Sequence, residues 1–168
     1  MNNEVTCKIK NAKVLTRGTW RNFSGTESDY NRAGDRNFTI SIPEDLAKQM
    51  MADGWDIHVR EPENKDYDTE YTLKVSLKYN FRPPLVYFVT DGRKRQVSED
   101  EVGALDRAYI DGADLLLRQY NWTYHNKSGV KACLVIGYFH LVDSDYEDPF
   151  ADDYANFMDD VPFDTDER

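Results

Sequence analysis

The sequence predicts a mainly β protein: an OB-like Greek-key barrel with one or two short helices and a disordered acidic C-terminal tail. A β-sandwich is the second architecture the same pattern allows. Three observations predict this class. Apolar and polar residues alternate along most of residues 7–142, as half-buried antiparallel strands require. Turn pairs and Gly- or Pro-containing breaks separate the runs. The acidic excess lies at one end: residues 143–168 hold eleven acids and one base, which is the entire formal charge of −10. The chain of 168 residues is 40% hydrophobic, enough for one core. It divides into a folded body, 1–142, and a tail, 143–168.

Cys7 to Leu15 interleaves apolar residues with Lys8, Lys10 and Lys13 and reads as a strand. Residues 17–36, rich in Gly, Ser, Asn, Asp and Arg, read as a long loop, a kind of segment that is usually functional in a compact domain. Phe38, Ile40 and Ile42 alternate with Asn37, Thr39 and Ser41 as a half-buried strand. Pro43 opens a helix over Glu44–Ala52, with acids at its start and Gly54 just beyond it. Trp55, Ile57 and Val59 alternate as another strand, and 61–70 is a charged loop. Leu73, Val75, Leu77, Tyr79 and Phe81 point one way and Lys74, Ser76, Lys78, Asn80 and Arg82 the other, until Pro83-Pro84 ends the strand. Leu85–Thr90 is a strand and Asp91-Gly92 a turn. Ser98 and Glu101 form a capping box for a short helix to Ala108, with Val102 and Leu105 inward. Gly112 and the alternation after it argue against extending that helix. Residues 113–124 and 130–142 then form a long hairpin around a turn at 125–129.

Several function classes lose support. The longest apolar run, Ala132–Phe139, is too short to span a bilayer, and the N-terminus has no basic region followed by an apolar stretch. Two cysteines, Cys7 and Cys133, are too few for a disulfide framework and read as small buried residues of a reducing compartment. The four glycosylation sequons carry no meaning without export. No phosphate loop, dinucleotide glycines or paired Cys/His metal spacing occurs, so no catalytic residue, metal ligand or cofactor is assigned.

The body, 1–142, is neutral overall, but its charges are segregated. Residues 1–40 carry seven bases against four acids, 41–70 three against nine, and 71–97 six against one. A neutral body can therefore present a basic face. Arg118, Tyr120, Trp122 and Tyr124 lie at spacing two and share one face of a strand. A cation followed by three rings suits single-stranded nucleic acid, because rings stack on any base and cations track phosphates. The bland alternative is that the rings fill the barrel, but Arg118 would then be forced inward with them. Lys74, Lys78 and Arg82 share a second strand face, followed by Arg93, Lys94 and Arg95 at the next turn. Arg17, Trp20, Arg21, Phe23, Tyr30, Arg32 and Arg36 alternate cations with rings in the long loop, although Trp20 or Phe23 equally suits an anchor to the core. Lys127 sits at the hairpin tip.

In the tail, Tyr146, Phe150, Tyr154 and Phe157 follow at helical spacing, and five rings are more than a solubility tail needs. Asp159-Asp160-Val161-Pro162-Phe163 resembles the acidic tip of bacterial single-stranded DNA-binding proteins, which ends in Asp-Asp-Ile-Pro-Phe and recruits replication and repair partners. Here five further residues, Asp164–Arg168, follow the Phe. The body resembles the OB-fold single-stranded DNA-binding proteins of tailed phages. The resemblance is carried by Asn22-Phe23-Ser24-Gly25, Arg36-Asn37-Phe38-Thr39-Ile40, Asp45-Leu46-Ala47, Asp53-Gly54-Trp55, Pro84-Leu85-Val86 and Gly129-Val130-Lys131-Ala132.

The expectation is a binding protein, not an enzyme, that holds single-stranded DNA without reading its sequence, in the cytoplasm of a phage-infected bacterium. Through the tail it engages replication or recombination proteins. It has no membrane partner, and a homodimer is one assembly the sequence allows. Two other classes remain: an acidic DNA mimic that occupies another protein's groove, which predicts no single-strand binding at low salt, and a Mg²⁺-dependent nuclease using scattered acids such as Asp53, Asp56 and Asp91.

Overall fold

Lys8, Lys10 and Lys13 face water while Ile9, Ala12 and Val14 are buried, and this alternation makes β1 (Thr6–Val14). Asn11, at φ 54°, supplies a bulge between Ile9 and Ala12 that restores the inward phase. The computed structural model describes residues 5–15, 21–28, 31–64 and 66–142. After β1 come β2 (Arg21–Asn22), β3 (Arg36–Ser41), α1 (Glu44–Ala52), β4 (His58–Arg60), β5 (Glu70–Leu77), β6 (Leu85–Thr90) and β7 (Arg93–Val97). Then follow α2 (Glu99–Val102), a 3-10 turn over Gly103–Asp106, β8 (Ile110–Tyr124) and β9 (Lys127–Leu141).

Five strands close a ring. β1 runs antiparallel to β3 and to β8, β3 to β5, and β8 to β9. The ring is sealed by a short parallel seam between β5 and β9, Val75 opposite Ala132 and Ser76 opposite Cys133. This is the predicted OB-like barrel, and the sandwich is excluded. β9 pairs with β5 at residues 132–133 and with β6 over residues 136–140. A register shift between these stretches leaves Val135 extra and bends the strand between its two partners.

The core is filled by alternate residues of the ring. Phe23 and Phe38 stack at 4.8 Å, and Phe139 meets both edge-on at 5.6 and 5.5 Å. Phe23, from the long loop, is fully buried, so it is the anchor anticipated for that loop. Asp106 fixes the same turn, accepting from the backbone N–H groups of Phe23 and Ser24 and from the Ser24 hydroxyl. The capping box forms as read: Ser98 N–H donates to Glu101 Oε1 at 3.3 Å. The helix is shorter than expected, however, because the chain tightens into the 3-10 turn after Val102. Val102 and Leu105 still point inward, both fully buried.

Three local readings are corrected. Arg93, Lys94 and Arg95 lie on β7, not in a turn; only Asp91-Gly92, both at positive φ, makes the turn. β3 is not half-buried, because Asn37 and Thr39 on its outer side are buried as well as Phe38 and Ile40. Trp55 and Ile57 are buried but precede β4, which is a three-residue edge.

The β1 bulge is held by a polar clip. Asp114 accepts from the Asn11 backbone N–H at 2.9 Å and sits 2.9 Å from His140 Nε2. The His140 hydrogen bond, then the Asn11 amide, hold the Asp114 carboxyl below its usual range. A carboxyl depressed on folding stabilises the protein above its unfolded pKa of ~3.9 and loses that contribution as pH falls through the folded value. Asp114→Asn is therefore expected to lower the melting temperature at pH 6. The difference from the parent should shrink as pH is lowered below about 4, as followed by circular dichroism. A difference constant with pH counts against the clip.

Candidate nucleic-acid interface

Outward-pointing residues of the ring align in register across four strands. Asn37 on β3 faces Ser76 on β5, Ser76 faces Cys133 on β9, and Cys133 faces Arg118 on β8. This row lies outside the barrel, yet none of its members is more than 5% exposed. Overhanging chain covers it. At one end Asn37 Nδ2 donates to Asn31 Oδ1 at 2.9 Å and to the Asp35 carbonyl at 3.1 Å. At the other, the Phe81 ring lies over the Arg118 guanidinium at 5.8 Å. The result is a polar floor between two overhanging segments. Thr39, Lys74, Lys131 and Tyr120 continue into the adjoining row on one side.

The hairpin carries the row outward. Cross-strand neighbours pair Tyr120 with Lys131, Trp122 with Gly129, and Tyr124 with Lys127, so cations of β9 flank rings of β8. The tip is a two-residue turn, His125-Asn126, both residues at positive φ. Gly129 lets the Trp122 indole lie flat across the hairpin: a Cβ there would come within 2.5 Å of the ring. Tyr124 is exposed, Trp122 and Tyr120 are half-buried, and Lys78 Nζ lies 5.6 Å from the Tyr120 ring centre.

Three clefts adjoin on this side. The largest, about 990 Å³, is lined by Arg21, Asn31, Asn37, Thr39, Lys74 and Arg107, among others. A second, about 690 Å³, takes in Asn31, Arg32, Trp122, Tyr124 and Lys131. A third, about 430 Å³, takes in Arg32, Arg36, Lys78 and Lys131. Shared lining residues make them neighbours along one path.

The predicted residues divide accordingly. Arg32, Lys74, Lys78, Trp122 and Tyr124 line the clefts, with Tyr120 and Lys127 on the same face of the hairpin. Arg36 lines one too, but it is engaged by the Phe23 carbonyl at 2.7 Å and Glu99 at 3.3 Å. Arg21 is largely structural. It donates to the carbonyls of Leu15, Leu105 and Ala108, and burial lowers its pKa. Arg82 is exposed next to Phe81, and with Lys78, Lys131 and Arg118 it acts electrostatically on Cys133. Arg93, Lys94 and Arg95 line none of these clefts. Lys94 lies over the stacked Tyr87 and Tyr138 rings, and Arg95 pairs with Glu101 at 2.7 Å. Arg17, Trp20, Tyr30 and the tail residues Phe157, Asp159, Asp160, Val161, Pro162 and Phe163 lie outside the described residues. Sequence reasoning missed Phe81, Arg107 and Lys131. Lys131 alone carried a signal, since it lies directly across the hairpin from Tyr120.

A five-stranded barrel with this closure belongs to the OB class, whose second and third strands and flanking loops commonly bind oligonucleotides. The family model of a phage ssDNA-binding domain matches residues 2–165, and the chain belongs to that family of phage single-stranded DNA-binding proteins. Among solved structures it is similar to the single-stranded DNA-binding protein of bacteriophage Enc34, with TM-score 0.52 and 10% identity over 80% of this chain and 79% of that one. The same Enc34 protein in complex with ssDNA matches at TM-score 0.52 and 10% identity, over 82% and 87%. The gp2.5 protein of bacteriophage T7 matches at TM-score 0.45 and 11% identity, over 87% and 94%. No curated protein sequence matches. Among the described residues no helix is long and apolar enough to cross a membrane, and no group of three His, Cys, Asp or Glu is arranged to hold a metal ion.

Proposed function

We propose that the chain binds single-stranded DNA along the path of the three clefts, without reading sequence, and so protects and organises strands during phage replication, recombination or repair in the host cytoplasm. One observation carries this: a buried polar row outside the barrel, flanked by Lys74, Lys78 and Lys131 and continued by Tyr120, Trp122 and Tyr124. Phosphates would follow the cations and bases the rings. The tail, with DNA's sign of charge, competes for this path and, once displaced, offers Phe157 and Asp159–Phe163 to replication or recombination proteins. Its 26 residues span roughly 25–30 Å as a coil, against a body radius of gyration of about 15 Å, so reach is sufficient.

The test is a titration with an unstructured oligonucleotide across salt concentrations. Log affinity should fall linearly with log salt, by about 0.7 per phosphate neutralised; a flat response rejects the reading. Deleting residues 143–168 should tighten binding at low salt and abolish capture of tail partners. Unchanged DNA affinity rejects the competition.

A further inference from the structure

We propose that Phe81 and Arg118 form one nucleotide subsite, Phe81 taking a base on its exposed face and Arg118 beneath it taking the adjoining phosphate. The proposal rests on the single-strand-binding reading and adds two residues with separate roles. By alternation Phe81 belongs to the inward set with Leu77 and Tyr79. β5 stops at Leu77, however, and the chain turns through Arg82 at φ 54° before Pro83-Pro84. The alternation breaks there, and Phe81 emerges 53% exposed. Its ring meets Tyr120 edge-on at 6.4 Å, so the two rings form a corner rather than a closed stack. One face of Phe81 covers the Arg118 guanidinium.

Arg118 is 3% exposed, and its Nη2 is buried with no hydrogen-bond partner. A buried donor without an acceptor is destabilising, and more so when charged. Lys78, Lys131 and Arg118 all act electrostatically on the Cys133 thiol, so the surroundings of Arg118 carry further positive charge. Arg21 also leaves its Nη2 without a partner, but three backbone carbonyls accept from its Nε and Nη1. An acceptor is what the Arg118 Nη2 lacks among the described residues, and DNA supplies an anion beside every base. Stacking a base on Phe81 would draw the ring aside and open Nη2 to the phosphate. Lys131 belongs both to this cluster and to the two clefts toward Trp122, so the subsite lies on the proposed path.

The test uses the full chain with two probes: oligo-dT, and an abasic deoxyribose-phosphate strand of equal length. Phe81→Leu keeps an apolar cover and removes the ring. It should weaken oligo-dT binding about tenfold, within the range of one lost stack, and leave abasic binding within twofold. Arg118→Gln should weaken oligo-dT binding and reduce its salt slope by about 0.7, one phosphate, and leave abasic binding, which has no base to draw Phe81 aside, within twofold. Equal loss on both probes, or none, for Phe81→Leu overturns the base role. An unchanged slope for Arg118→Gln overturns the phosphate role. Should Arg118→Gln fail to fold, Phe81→Leu, altered at an exposed site, still decides against the two probes. A parent protein that binds neither strand rejects the parent function instead.

Discussion

Tyr120→Leu and Trp122→Leu should each weaken oligonucleotide binding by about 1–3 kcal/mol, roughly 5- to 150-fold, with the double variant weaker than either. Anisotropy of a labelled oligonucleotide measures this without relying on the tryptophan. The sizes follow from geometry. Both rings stand on the outer face of β8 beside Lys131 and Gly129, and Trp122 lies along a cleft instead of in the core. Melting temperatures should change little, since neither ring belongs to the buried cluster. Full binding by the double variant would remove the stacking platform from the proposal and leave only the cations.

The second large effect is on stability. Phe38→Ala should cost about 3–5 kcal/mol, because Phe38 is fully buried and its loss takes from Phe23 and Phe139 one of the two rings each packs against. For a domain this size that corresponds to a melting temperature lowered by roughly 6–20 °C. Phe23 also anchors the segment that lines the largest cleft, so single-strand binding should weaken in parallel. A variant that melts within a degree or two of the parent would show that the trio does not hold the loop.

The barrel was legible in the sequence because its ring strands alternate over most of their length, broken only by the bulge in β1 and the extra residue in β9. α1 fell on the predicted residues, and the hairpin turn and the Ser98 cap were marked by their own turn chemistry. What escaped had physical causes. β7 presents Arg93, Lys94, Arg95 and Gln96 to water on both sides, so no alternation marks it as a strand. It is held by pairing with β6, which local pattern does not record. β3 read as half-buried because Asn37 and Thr39 are polar. Asn37 is covered by residues 31–35 folding over it, a tertiary effect. Phe81 was misplaced because period two was carried four residues past the end of β5. The stripe from Arg118 to Tyr124 was read correctly as one face, but its gradient was not. Arg118 is buried, Tyr120 and Trp122 are half-buried, and Tyr124 is exposed, because only the base of the hairpin lies under the 78–84 segment.

The parallel seam has a consequence for how the protein comes into being. Its two pairs join residues near the middle of the chain to residues 132 and 133, so closure must wait for a long intervening segment to be ordered. The polar row crosses that same seam, and half of it, Arg118 and Cys133, belongs to the last two strands. A nascent chain on the ribosome therefore lacks half of the polar row, and the rings that continue it, until its last two strands have emerged and the seam has closed.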